Sequence, residues 1–199
     1  MDLHKIYSTR KKEIIARLQD FKKVGGDDLF YELCFCILTP QSSGFRADEC
    51  IQELKKKNFL YSNYNPKHLL KKKIRFHNNK TKYLLEAKKN YKNVTASLEK
   101  VKTPEEKRSW LVKNVKGISL KESSHYLRNI GHENLAILDR HILRNLKRFD
   151  AIEEIPKTLT ERRYYDIEEK FKKFSEKVKI PMDHLDLLFW AEETGKVFK

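Results

Sequence analysis

Two residues of this chain have the types and surroundings for chemistry at carbon. Lys121 follows a tight glycine turn, Lys116-Gly117-Ile118-Ser119, at the mouth of one helix, and Asp139, in ILDRHIL, stands at the mouth of the next. A helix N-terminus carries roughly half a positive charge. That field disfavours an ammonium, so it biases Lys121 toward the neutral, nucleophilic amine. It favours a carboxylate, so Asp139 is expected to stay ionised. An amine nucleophile and a fixed anion on a strongly basic chain point to reaction at a sugar carbon of DNA. Taken singly, each has a plainer reading: Lys121 is one of 43 basic residues, and Asp139 is an N-cap worth roughly 1 kcal/mol.

The elements that must position these residues read as helical almost throughout. Apolar residues recur at helical spacing over 3–23, at Leu3, Ile6, Ile14, Ile15, Leu18 and Phe21. Residues 27–38 read as a more buried helix capped by Asp27 or Asp28, and TPQSSG at 39–44 as a polar break. A helix over 45–57 ends in Lys55, Lys56 and Lys57, where the dipole favours cations. Pro66 opens a short helix, IRFHNNK at 74–80 reads as a loop, and 80–92 as a long basic helix. Thr103 caps a helix over 104–113, with Pro104 in its first turn. The Gly117 turn leads into a helix over 120–130 that Gly131 ends. Asp139 caps a helix over 140–149, and 160–178 and 183–194 supply the last two. Gly195 stops the final helix, leaving the tail Lys196-Val197-Phe198-Lys199. No strand pattern persists, so the fold class is all-α.

Composition sets the bounds. The 199 residues are 39% hydrophobic and 36% charged, with 6 Gly and 5 Pro. That is enough apolar material for one large domain or two small ones packed closely, and it disfavours multi-stranded β architecture. The net charge of +15 favours a polyanionic partner, because lysines that neutralise phosphates release counterions; a lysine-rich solubility bias would give the same number. Cys34, Cys36 and Cys50 make no even disulfide framework, and two of them sit in the apolar run LCFCIL. The lack of cysteine in 160–199 excludes a four-cysteine iron–sulfur loop there. The seven histidines lack metal-ligand grouping. No apolar run approaches the roughly 18 residues of a membrane span, and MDLHKIYSTRKK lacks the apolar core of a signal peptide. Together these predict a soluble, reduced, cytoplasmic protein with no membrane partner and no metal.

Helix–turn–helix joined by hxGhx is the helix-hairpin-helix pattern. The glycine admits the turn, and backbone N–H groups at the start of the second helix hold a phosphate. An ordinary αα-corner has the same outline, but Lys121 and Asp139 go further. On these residues the sequence resembles the helix-hairpin-helix DNA glycosylases with a catalytic lysine. The likeness extends through LCFCILT at 33–39, IRF at 74–76, LVKNVKGISLKESSHYLRNIG at 111–131, AILDRHIL at 136–143, EIPKTL at 154–159 and TGKVFK at 194–199. Within that group it looks like the small prokaryotic branch of the 8-oxoguanine DNA glycosylase/AP lyases. It departs at Ser119, where many such hairpins have a second glycine.

The resemblance implies two helical lobes: a barrel lobe over 27–135 containing the helix-hairpin-helix, and a second lobe from 1–26 and 136–199. The active site is expected in the cleft between them, where a flipped nucleotide enters. Lys121 is implied as the nucleophile. Its amine attacks C1′ of the damaged nucleoside and forms a Schiff base, and the sugar then loses its 3′ phosphate by β-elimination, with neither metal nor cofactor. Asp139 is expected to stabilise the oxocarbenium-like charge as the base departs. Phe76 and Trp190 are implied beside the base, although an aromatic in a helix is more often core. The α-carboxylate of Lys199 is expected to accept the N7 proton that 8-oxoguanine has and guanine lacks; the plainer reading is a frayed tail. Asp186 is a base ligand or an ordinary surface acid. Gln41 fills the space the flipped base leaves or is a turn residue, and His141 contacts phosphate or packs near the hairpin. Lys116, Gly117, Ser119 and Arg140 complete the expected DNA contacts. The expected partner is double-stranded DNA containing 8-oxoguanine, bound by a monomer. The competing functions are a related glycosylase for another damaged base and a non-enzymatic helix-hairpin-helix DNA-binding module, although binding alone needs neither Lys121 nor Asp139.

Overall fold

Ten α-helices and no strand make up the described residues, 2–199, of the computed structural model; Met1, part of the expected second lobe, lies outside them. The helices are α1 (Leu3–Lys22), α2 (Asp28–Leu38), α3 (Gly44–Lys56), α4 (Lys67–Lys73), α5 (His77–Lys100), α6 (Pro104–Asn114), α7 (Leu120–Asn129), α8 (Arg140–Arg148), α9 (Glu161–Val178) and α10 (Met182–Thr194). The all-α class is the one the sequence predicts.

Several helices begin where a side-chain oxygen takes the otherwise unpaired N–H groups of the first turn. Asp2 Oδ1 accepts from the His4 amide at 3.0 Å, Thr160 caps α9, and Thr103 and Glu106 cap each other's backbone ahead of α6. Asp27 heads α2 without a side-chain cap. Its carboxylate instead accepts the Tyr61 hydroxyl at 2.7 Å, while Asp28 pairs with Lys55 at 2.6 Å.

The main departure from the sequence reading is α5. It begins at His77 and runs to Lys100, so 77–79 are helix rather than loop and the helix outlasts residue 92. Asn78 and Asn79 are weak helix formers. The buried stripe Thr81, Leu84, Ala87, Val94 and Leu98 continues at helical spacing past 92, and packing of such a face outweighs local propensity.

The chain forms two units, Val24–Tyr126 and the residues up to Lys23 together with Leu127–Lys199. In Val24–Tyr126, α2 packs on α3 and α5, and α4 on the same two helices. Helix α2 is buried from Phe30 through Leu38, Glu32 included, as a helix apolar around most of its circumference must be. Its cysteines are free, and burial holds the Cys34 thiol well above its ordinary value. Burial also pushes Cys50 of α3 up to about 11. These thiols act as small hydrophobes. In the other unit α10 packs against α1, α8 and α9, and Phe189 of α10 stacks with Phe149 and Phe171. Among the described residues no helix is long and apolar enough to cross a membrane.

Candidate active site

Gly117 makes the turn between α6 and α7. Its φ is +88°, and a Cβ there would lie 2.4 Å from Cδ2 of Tyr83, so both the backbone and the space demand glycine. Beside it, the exposed Lys116 pairs with Glu86 at 3.1 Å. Ser119 does not adopt a positive φ, so a second glycine is not required for conformation. Serine is used differently here. Its amide donates to Glu122 Oε2 at 3.1 Å, and its hydroxyl donates to the same oxygen. Glu122 thus reaches back to the backbone N–H of Ser119 ahead of α7, which is the acid's half of a Ser-x-x-Glu capping box.

The other oxygen of that carboxylate, Glu122 Oε1, lies 2.8 Å from Lys121 Nζ. The Lys121 side chain is 26% exposed and that of Glu122 only 7%. Burial by itself would raise the Glu122 carboxyl. The neighbouring Lys121 charge, with hydrogen bonds from Lys121 and Ser119, outweighs burial and holds it below the usual carboxylate range. Lys121 Nζ therefore sits against an ionised carboxylate that fixes its position. Sequence analysis singled out Lys121 alone here; Ser-Leu-Lys-Glu at 119–122 is the signal that marks its partner.

In the same unit, Gln41 and Phe76 both hold left-handed backbone, with φ of +52° and +57°. Phe76 stands at the head of α5, 54% exposed, with the Arg75 guanidinium 5.5 Å from its ring centroid. It is not a core side chain. Lys80, which sequence reading passed over, is buried below these turns. Burial pushes its ammonium down to about 8; Glu122 opposes that shift, and Lys121 and Arg75 add to it.

In the second unit Asp139 caps α8, its Oδ1 accepting from the amides of His141 at 2.8 Å and Ile142 at 2.9 Å. Arg140 beside it is exposed. His141 Nδ1 lies 3.6 Å from Glu193 Oε2. Asp186 is buried, which corrects the surface-acid alternative. Its Oδ2 lies 3.3 Å from Arg128 Nη1, and Arg128 stands 4.8 Å over the Phe21 ring. Burial raises the Asp186 carboxyl to about 7; Arg128 works against this, while Asp139 and Asp183 push the same way as burial.

The tail is tied rather than frayed. Gly195 turns the chain with φ +82°, and its carbonyl accepts from Arg10 Nη2 at 3.3 Å. Val197 is buried. Phe198 stacks on Trp190 with ring centroids 5.7 Å apart and planes 28° apart. One side of Trp190 is therefore taken by the tail itself, a contact no sequence spacing indicates. Lys199 is half-buried. The structure thus brings Lys121 to Glu122, Trp190 to the tail, and Asp139 within electrostatic reach of Asp186.

A family model for 8-oxoguanine DNA glycosylase matches residues 14–180. An 8-oxoguanine DNA glycosylase/AP lyase of Fusobacterium nucleatum is 45% identical, over 100% of this chain and 96% of that protein. One from Methanocaldococcus jannaschii is 37% identical, over 99% of this chain and 97% of the relative. The crystal structure of the Methanocaldococcus jannaschii 8-oxoguanine glycosylase/lyase in complex with a 15mer DNA containing 8-oxoguanine superposes with a TM-score of 0.88 at 35% identity, covering 100% of both chains. That of the Thermotoga maritima 8-oxoguanine DNA glycosylase gives 0.87 at 33% identity, over 99% of this chain and 96% of that one. The helix-hairpin-helix chain described here belongs to the 8-oxoguanine DNA glycosylase family.

Proposed function

We propose that this chain is a bifunctional DNA repair enzyme that excises 8-oxoguanine from double-stranded DNA and then cleaves the abasic strand by β-elimination, acting as a monomer in base excision repair. The observation that best supports this reading is Lys121 in the first turn of the second hairpin helix, its amine against the buried, ionised Glu122. Glu122 holds the Lys121 side chain in place, and the amine, once it has released a proton to solvent, attacks C1′ of the lesion nucleoside. The C1′–N9 bond breaks, its electron pair leaving with the base, which takes up a proton. Asp139 supplies a fixed anion that offsets the positive charge developing on the sugar. The sugar ring opens to a Schiff base with Lys121, and loss of a C2′ proton expels the 3′ phosphate.

The exposed ring of Phe76 offers a flat surface to the flipped base, and Trp190, stacked with Phe198, is the second aromatic assigned beside it. The α-carboxylate of Lys199 accepts the N7 proton of the lesion, and Asp186 is a second candidate base ligand. Lys116, Arg140, His141 and the amides after Gly117 contact phosphate, and Gln41 fills the vacated space in the duplex.

Borohydride trapping on duplexes containing 8-oxoguanine, an oxidised pyrimidine or guanine tests this. A trapped complex is expected on the 8-oxoguanine duplex and not on undamaged DNA. A higher yield on the oxidised pyrimidine would assign the chain to another lesion, and binding without trapping would make it a DNA-binding module.

A further inference from the structure

Lys80 is a buried lysine that the chemistry above does not use. It is 4% exposed, and its Nζ donates to the Leu38 carbonyl at 2.7 Å, the Pro40 carbonyl at 2.6 Å and Ser42 Oγ at 3.1 Å. Three N–H groups meet three acceptors, which is the full donor capacity of an ammonium. Ser42 Oγ also accepts the backbone N–H of Arg75 at 3.2 Å. One ammonium therefore closes the turn that carries Gln41 and, through one hydroxyl, joins it to the turn that carries Phe76.

The two turn tips share a property. Gln41 and Phe76 are both non-glycine residues in left-handed backbone, and both are exposed. Such backbone persists where the surroundings over-determine it. A buried charge is itself costly unless fully paired, and an apolar side chain of similar volume would fill the space without that cost. What the ammonium adds over such a side chain is its grip on three acceptors.

We propose that Lys80 is a positioning residue that locks the Gln41 turn and the Phe76 turn into one unit, so that both side chains engage lesion-bearing DNA together. The proposal rests on the reading of the chain as a DNA glycosylase. Lys80 touches neither base nor sugar in this role; it acts through the two turns. Its removal should impair capture of the flipped base and leave the lysine chemistry at an abasic site, where no base remains to be held.

The test compares wild type with Lys80→Met, Lys80→Arg and Ser42→Ala. Three quantities are measured: Kd for an 8-oxoguanine duplex, the single-turnover excision rate, and borohydride trapping on a preformed abasic duplex. Lys80→Met is expected to weaken lesion binding by about tenfold and slow excision, with abasic-site trapping changed by less than about threefold. Ser42→Ala should show the same split more mildly, and Lys80→Arg should recover part of the binding. Equal losses of excision and trapping would overturn the proposal, because Lys80 would then act on Lys121 or on the fold; no loss in either assay would overturn it as well. If Lys80→Met does not fold, Ser42→Ala carries the test, since it removes only the bridging hydroxyl. A wild-type protein that neither excises 8-oxoguanine nor forms a trapped complex would instead overturn the functional reading, and this proposal with it.

Discussion

Glu122, in the Val24–Tyr126 unit, and Asp186, in the other, are both buried carboxylates with a cation nearby, yet they are tuned in opposite directions. Burial would raise both. At Glu122 the Lys121 charge and the Ser119 and Lys121 hydrogen bonds win, and the carboxyl is held low. At Asp186 the Arg128 guanidinium is outweighed by burial joined with Asp139 and Asp183, and the carboxyl rises to about 7. The hydrogen-bonded neighbours and the local count of charges decide the outcome, not burial or the presence of one partner. The first unit thereby keeps a fixed anion against the Lys121 side chain. The second carries Asp139 next to a carboxylate that is only partly charged near neutral pH, which limits repulsion around the anion the proposed reaction needs.

The strongest way to break this contrast is Lys121→Gln. Excision and borohydride trapping should fall on the order of a thousandfold or more, while binding to undamaged duplex stays close to wild type because the basic surface is otherwise untouched. Trapping at wild-type rates in single-turnover assays would end the assignment. Asp139→Asn comes next. Asparagine caps a helix about as well as aspartate, so stability should shift by no more than a few tenths of a kcal/mol, but base excision should slow by about a hundredfold. An unchanged rate would remove the electrostatic role.

The tail probes selectivity rather than rate. Deleting Lys199, or extending the chain by one residue, displaces the terminal carboxylate and should shrink the preference for 8-oxoguanine over guanine by about tenfold. Trapping at a preformed abasic site should change less. A preference that survives the extension would assign base reading to another group.

The smallest effects are in the pH dependence of stability, where the two carboxylates should show opposite signs. Glu122 has a folded pKa below its unfolded value of about 4.3, so its contribution is present above that pH and is lost as the pH falls from there through the lower folded value. Asp186 has a folded value near 7, above its unfolded value of about 3.9. The native state then holds a proton the unfolded chain has released, and stability declines as the pH rises between these values. Thermal melts from pH 2 to 8 should show Glu122→Gln costing most above about pH 4.3 and less below it, and Asp186→Asn flattening the decline between about pH 3.9 and 7. Parallel pH profiles for the two variants would contradict the contrast.

Much of this was legible in the chain. Short-range patterns carry the hairpin glycine, the caps at Thr103 and Asp139, and the largely apolar α2, because each depends on neighbours within a few residues. The Ser119–Glu122 pair is legible for the same reason, and it places a carboxylate beside Lys121. Other features were not. Asp186 reads equally as a surface acid, because nothing local says which face of α10 is covered. The start of α5 was missed because the asparagines at 78 and 79 weigh against helix locally, while the stripe that holds them in the helix is satisfied only by packing.

The sequence by itself determined the element types, the positive charge, and the pairing of a lysine after a glycine turn with an aspartate at a helix mouth, since these follow from composition and from interactions a few residues long. Only the tertiary structure decided that Lys80 grips the carbonyls of Leu38 and Pro40 and the Ser42 hydroxyl, that Phe198 folds back on Trp190, and that Asp186 sits buried against Arg128. Each of these depends on which distant groups are brought into contact and kept from water. Desolvation and charge coupling act through space, so no spacing along the chain encodes them.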